Sequence, residues 1–172
     1  MRHPEFKKIS PKREWIRIGI KVAILLLIFW IILGVLFGIR RIEGVSMSPR
    51  VNDGDLSLFF RNTDGVGNGD VVLFNKNGKS YVSRIVATAD DVITLSNDYH
   101  LLINGEKLSD TPAYDLERGD EIKISYPLRL PKGAYFVVND NLESNDDSRF
   151  FGTIEKSNIY GKVISILRTR DI

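Results

Sequence analysis

Between Val22 and Ile39 the chain carries 18 consecutive residues without a charge, most of them apolar. As a helix this run spans roughly 27 Å at ~1.5 Å per residue, close to the ~30 Å of a bilayer's hydrocarbon core. Ile18, Gly19 and Ile20 extend it, and Lys21 stands where its ammonium can snorkel to the interface. A cleaved secretory signal has a shorter apolar region, ~7–15 residues, and ends on small residues. Here the run closes on Arg40-Arg41. The sequence therefore predicts a transmembrane helix over 22–39. Residues 42–172, about 130 of them, suffice for one domain with its own core.

Charge gives the orientation. Residues 1–21 hold seven basic side chains against Glu5 and Glu14, a net +5 that leaves −3 for the rest of a chain whose formal total is +2. Basic flanks stay in the cytoplasm, which predicts a cytoplasmic tail over 1–21 and an extracytoplasmic domain over 42–172 at the cell membrane. The basic residues are then a topology signal. No basic stripe interleaved with aromatics marks the outer domain, so nucleic acid is not an expected partner. The chain has no cysteine and only His3 and His100, which leaves no disulfide, no thiolate chemistry and no expected metal site or cofactor. Gly34 and Gly38 make a G-x-x-x-G pattern in the apolar run, a possible seam for a weak homodimer.

Beyond residue 42 the pattern is of short β-segments rich in Val, Ile, Tyr and Phe, separated by turns. Strands are expected at Leu56–Phe60, Val71–Phe74, Tyr81–Ala87, Val92–Leu95, His100–Ile103, Ile122–Ser125, Tyr135–Val138 and Tyr160–Leu167. Asn104-Gly105 is a hairpin signal, Asp64–Gly69 a glycine-rich loop, and Asp110–Glu121 a polar, mobile loop. No amphipathic helix stands out. The expected fold is mainly β, an antiparallel domain carried on one N-terminal transmembrane helix.

Seven residues after the apolar run comes Ser46-Met47-Ser48-Pro49. Gly44 permits close backbone approach, Met47 is an adaptable apolar contact and Pro49 stiffens the exit. Ser46 is thus a candidate nucleophile beside a membrane. The surrounding blocks resemble the type I signal peptidases, membrane serine proteases that remove signal peptides. Gly44-Val45-Ser46-Met47-Ser48-Pro49 resembles their nucleophile block, and Asp53-Gly54-Asp55 with Leu56–Phe60 the strand after it. Tyr81-Val82-Ser83-Arg84-Ile85-Val86 resembles the block that holds the general base. Asn139-Asp140-Asn141, continuing to Asp147-Ser148-Arg149 and Gly152, resembles the last block, entered through Leu130–Val138.

The resemblance implies Ser46 as nucleophile and places Ser83 where the family has its lysine base. It implies a peptide groove walled by Ile42, Gly44 and Val45 on one side and by Tyr81, Val82 and Ser83 on the other. Met47, Pro49, Arg84, Asp140, Asn141, Asp147 and Arg149 are the implied structural residues, the charged ones a network beneath the site. The family mechanism needs a neutral amine, and a serine hydroxyl does not take up a proton near neutral pH. Lys79, four strand residues from Ser83, is ~13 Å away along the strand, and Lys76 is further. Other departures accompany Ser83. Asn139 replaces a glycine, Asn145 a serine that serves the lysine, Leu142 an arginine and Arg50 a threonine.

Two functions follow from the resemblance. One is a catalytically silent relative that binds exported proteins and assists assembly of a Gram-positive pilus from pilin subunits. The other is an active signal peptidase cleaving signal-peptide segments through Ser46.

Overall fold

The computed structural model describes residues 11–42, 47, 54–110, 112–115 and 119–168. The chain divides into two units, Met1–Leu36 and Phe37–Ile172. In the first, helix α1 runs over Pro11–Leu36, 26 residues. Pro11 suits a first helical position, where its missing N–H has no intrahelical acceptor in any case. The stretch Glu14–Leu36 is long and apolar enough to cross a membrane, and its large side chains from Trp15 to Val35 are exposed except for the half-buried Leu33. This is the distribution lipid rather than a protein core favours.

The helix stops three residues short of the expected Ile39. Phe37–Arg41 is strand β1, paired antiparallel with β2 (Leu56–Phe60) so that Gly38 lies opposite Phe59. A Cβ on Gly38 would run into the Phe59 ring, so glycine here serves close packing within the sheet. Gly34 lies in α1 and Gly38 in β1; the two do not share a helix face, which removes the geometric basis of the expected dimer seam.

The second unit is built on a sheet of seven strands in the order β1-β2-β11-β3-β4-β9-β10, every neighbour antiparallel. Its further members are β3 (Val71–Lys76), β4 (Lys79–Ala87), β9 (Ala134–Val138), β10 (Ile154–Glu155) and β11 (Ile159–Leu167). A second sheet, ordered β7-β6-β5-β8, comprises β5 (Val92–Leu95), β6 (Leu101–Ile103), β7 (Glu106–Lys107) and β8 (Leu128–Arg129). The β6–β7 hairpin turns at Asn104-Gly105 with φ of 52° and 89°, the two positive values that such a two-residue turn demands.

Strand alternation distributes the core. On β3, Val72 and Phe74 enter one buried cluster with Ile85, Val137 and Ile154, while Leu73 enters another with Ile42, Met47, Phe59 and Val82. Both faces of the strand are covered, so it reads as a continuous apolar run. A third cluster, including Ile93, Leu101, Tyr114, Leu130 and Phe136, involves both sheets.

Two expectations fail here. Ile122–Ser125 is irregular, although Ile124 is half-buried. Its alternation reflects partial burial, but no strand pairs with it among the described residues, and a ladder partner is what defines a strand. The loop 110–121 is not wholly polar and solvent-facing: Ala113 and Tyr114 are buried, and Tyr114 donates its hydroxyl hydrogen to Arg149 O at 2.7 Å.

Candidate active site and peptide groove

The end of β1 and the start of β4 face a cavity of about 340 Å³. Arg40, Arg41 and Ile42 line it from one side and Gly78, Lys79, Ser80 and Val82 from the other, with Leu73 also present. Ile42 and Val82, both expected as wall residues, are there. Tyr81 is not. Its ring stacks on Phe74 with centroids 5.6 Å apart and packs against Phe151 at 5.7 Å, on the opposite face of β4. Alternation along a strand dictates this: if Val82 faces the cavity, Tyr81 faces away and Ser80 faces in. Ser80, Arg40 and Arg41 escaped the sequence reading, although that same alternation points to Ser80.

Ser83 has no exposed surface. Its hydroxyl donates to Asn139 Oδ1 at 2.6 Å, and Asn139 Nδ2 donates to Ser144 Oγ at 3.2 Å. The Asn139 backbone N–H donates to Asp147 Oδ2 at 2.9 Å, tying this chain of bonds to the ion pair below it. Neither of the lysines weighed as substitutes joins it. Lys76 Nζ donates to Thr153 O at 2.9 Å, and Lys79 lines the cavity. Asn145 also lies apart from Ser83, its Nδ2 donating to Asp120 Oδ1 at 3.3 Å. Ser144, one residue earlier, is the hydroxyl that reaches the buried chain.

The expected charge network divides in two. Arg84 pairs with Asp140 through two bonds of 2.9 and 2.7 Å and donates to Gly69 O at 2.8 Å. This pair is partly exposed, and the hydrogen bond to Asp140 raises the Arg84 pKa from its ordinary value. Arg149 and Asp147 form a second pair with no exposure at all. Arg149 uses its guanidinium fully. Nε and one Nη bond Asp147, and the two Nη groups reach the carbonyls of Ala113, Leu142 and Ser144 at 2.7, 3.0 and 2.6 Å. Burial pushes the Asp147 carboxyl up, and Arg149 with the backbone N–H groups of Asn139 and Arg149 opposes that. Asp147 also caps α2 (Ser148–Phe151), accepting from Arg149 N. One buried guanidinium thus ties the loop that carries Ala113 to the loop from Leu142 to Asp147.

Met47 is buried beside Ile42, Phe59, Leu73 and Val82, and its sulfur lies 3.5 Å from the N–H of Asp140. The first and last blocks therefore meet. Asn141, adjacent, has its Oδ1 bound by Glu143 N at 3.1 Å. Gly44, Val45, Ser46, Pro49 and Arg50 lie outside the described residues. No cluster of potential metal ligands occurs among the described residues.

Comparison with known proteins shows the family. The family model described as signal peptidase, peptidase S26, matches residues 13–167. Signal peptidase IB of Staphylococcus aureus is 33% identical over 169 residues, covering 87% of this chain and 86% of that protein. Signal peptidase I P of Bacillus subtilis subsp. natto is 32% identical over 168 residues, covering 91% and 88% respectively. A crystal structure of a signal peptidase I from Enterococcus faecalis V583 aligns with a TM-score of 0.44 at 25% identity, over 60% of this chain and 100% of that one. Family match, relatives and the order of the four blocks lead to one assignment: this chain belongs to the type I signal peptidase family.

Proposed function

We propose that the protein is a membrane-anchored member of this family without a general base, which binds exported polypeptides in its groove and assists their assembly into a pilus. One observation carries the reading. At the position where the family has its lysine, the Ser83 hydroxyl is buried and bonded at 2.6 Å to Asn139, itself the replacement for a glycine. A small residue has become larger opposite a large residue that has become smaller, and the pair satisfies itself. Nothing in that arrangement accepts a proton from a serine near neutral pH.

Binding needs less. β1 is the edge strand of its sheet, and β9 pairs with β4 only from Arg84 onward. An extended segment entering between β1 and Lys79–Ser83 would add as a strand, with main-chain bonds giving affinity and side-chain pockets giving selectivity. α1 would hold this site at the bilayer, with the tail over 1–21 in the cytoplasm, the side that its basic excess favours.

A second reading, an active signal peptidase using Ser46, is favoured by the names of the relatives and by Ser46-Met47 standing in the nucleophile block. The two readings part on one variant. In cells lacking the protein, Ser46→Ala restores assembly of the surface polymer as well as the unaltered chain does, whereas Ser80→Trp, which fills the groove, does not. Loss of assembly in a normally expressed Ser46→Ala protein contradicts the binding account.

A further inference from the structure

Three Asn-Gly dipeptides occur in the chain, at Asn68-Gly69, Asn77-Gly78 and Asn104-Gly105, and both residues of each are exposed. Such a pair carries its own chemistry. The glycine nitrogen, unhindered by a Cβ, attacks the asparagine side-chain carbon once it has given its proton to solvent base. The N–Cγ bond forms, the Cγ–Nδ2 bond breaks, and ammonia leaves with a proton from water. Water then opens the cyclic imide at either carbonyl, giving aspartate or its β-linked isomer. The backbone must leave its folded geometry for the ring to close, so local hydrogen bonds set the rate.

Those bonds separate the three sites. At Asn104 the side chain is tethered at both ends: Oδ1 accepts from Val92 N at 2.9 Å, and Nδ2 donates to Asp91 Oδ1 at 2.7 Å. At Asn68 the nucleophile is tethered, because Gly69 N–H donates to Ile85 O at 2.8 Å and Gly69 O accepts from Arg84 Nη1 at 2.8 Å. Asn77-Gly78 is the turn between β3 and β4, with φ of 52° and 81°. Among the described residues no hydrogen bond holds the Asn77 side chain. Gly78 N–H has one exposed acceptor, Asn75 Oδ1 at 3.2 Å. The last cross-strand pair before this turn is Lys76 with Lys79, and like charges placed opposite each other weaken a ladder. Two ammonium groups beside the turn also favour the anionic nitrogen that attacks.

We infer that Asn77 is the chain's first site of spontaneous deamidation, through a cyclic imide formed with Gly78. The product sets a carboxylate between Lys76 and Lys79, which it then serves as a charge partner. Gly78 and Lys79 line the cavity between β1 and β4, so the change falls on its rim. The β-linked product also adds a methylene to the backbone of a two-residue turn, whose geometry depends on its length.

The test holds the full-length protein in neutral detergent at mildly alkaline pH and follows all three dipeptides by mass spectrometry of chymotryptic peptides. Fragment ions separate Asn77 from Asn75 within Asn75–Tyr81. Asn77 converts about tenfold faster than Asn68 or Asn104, the factor that one or two exposed hydrogen bonds impose. Its conversion slows at mildly acidic pH, since the attacking nitrogen must lose its proton. In denaturant the three sites convert at comparable rates. Conversion of Asn68 or Asn104 as fast as Asn77 in the folded protein overturns the inference. So does an intact Asn77 over a period in which the denatured chain has converted. The same tenfold order in denaturant would place its cause in the neighbouring sequence and overturn the structural account.

Discussion

Ser83 Oγ lies 2.6 Å from Asn139 Oδ1, between β4 and the end of β9, and the two residues are almost wholly buried. Their sequence separation is 56, so the bond clasps two of the four blocks that define the family. On the reading proposed above, Ser83 stands in place of a lysine and leaves space, and Asn139 stands in place of a glycine and occupies space next to it. Buried polar groups without partners cost ~1–3 kcal/mol each, so either change alone would leave a defect that both together avoid.

This relationship is measurable as a coupling. Ser83→Ala and Asn139→Ala each destabilise the protein, and the double variant destabilises it by less than the two combined. The expected coupling is ~0.5–1.5 kcal/mol, that of a buried neutral hydrogen bond. Denaturant unfolding of the four proteins in the same detergent gives the value. Strict additivity would mean that the two residues are independent.

The two ion pairs should respond very differently to loss of their arginine. Arg149→Met leaves the Asp147 carboxylate buried and three carbonyls without their donor, and is expected to cost ~3–5 kcal/mol. Arg84→Met strands a pair that water still reaches, and is expected to cost on the order of 1 kcal/mol. Thermal melting of both variants ranks them. Equal losses would show that Arg149 is no more a structural hub than Arg84.

Much of this was legible in the chain. Leu56–Phe60 and Val92–Leu95 are strands with the expected ends, and Asn104-Gly105 turns the expected hairpin. These succeed because side-chain alternation and positive-φ turns are local properties. Ile122–Ser125 has the alternation without a ladder, and a ladder depends on a distant partner. The helix boundary failed for the same reason. Phe37, Gly38 and Ile39 are apolar enough for a bilayer, but pairing with β2 claims them for the sheet. At the site, the four blocks were readable in order. That Arg84 chooses Asp140 and leaves Asp147 to Arg149 was not, because charge types in a motif do not specify who pairs with whom. Tyr81 was assigned to the groove as part of a block, where alternation assigns its ring to the other face.

The clasp also sets the terms for restoring a base. Ser83→Lys alone pushes a long side chain against Asn139 and is expected to yield a destabilised protein without activity. Ser83→Lys with Asn139→Gly reopens the space and frees Ser144 Oγ from its bond to Asn139 Nδ2. If the groove is a latent active site, this pair of changes raises Ser46-dependent cleavage of a signal-peptide substrate by ~10²–10⁴ over the unaltered protein. Activity should increase with pH, because only the neutral amine accepts a proton. A folded double variant that stays inert would show that more than the base has been lost.

The most direct measurement is the rate at which the purified full-length protein processes a signal-peptide substrate, set beside Staphylococcus aureus signal peptidase IB under the same conditions. A missing general base predicts a rate lower by ~10²–10⁴, or no processing at all, with Ser46→Ala making little further difference. Processing within about tenfold of that enzyme and abolished by Ser46→Ala would contradict the account, because a loss of base cannot be that small.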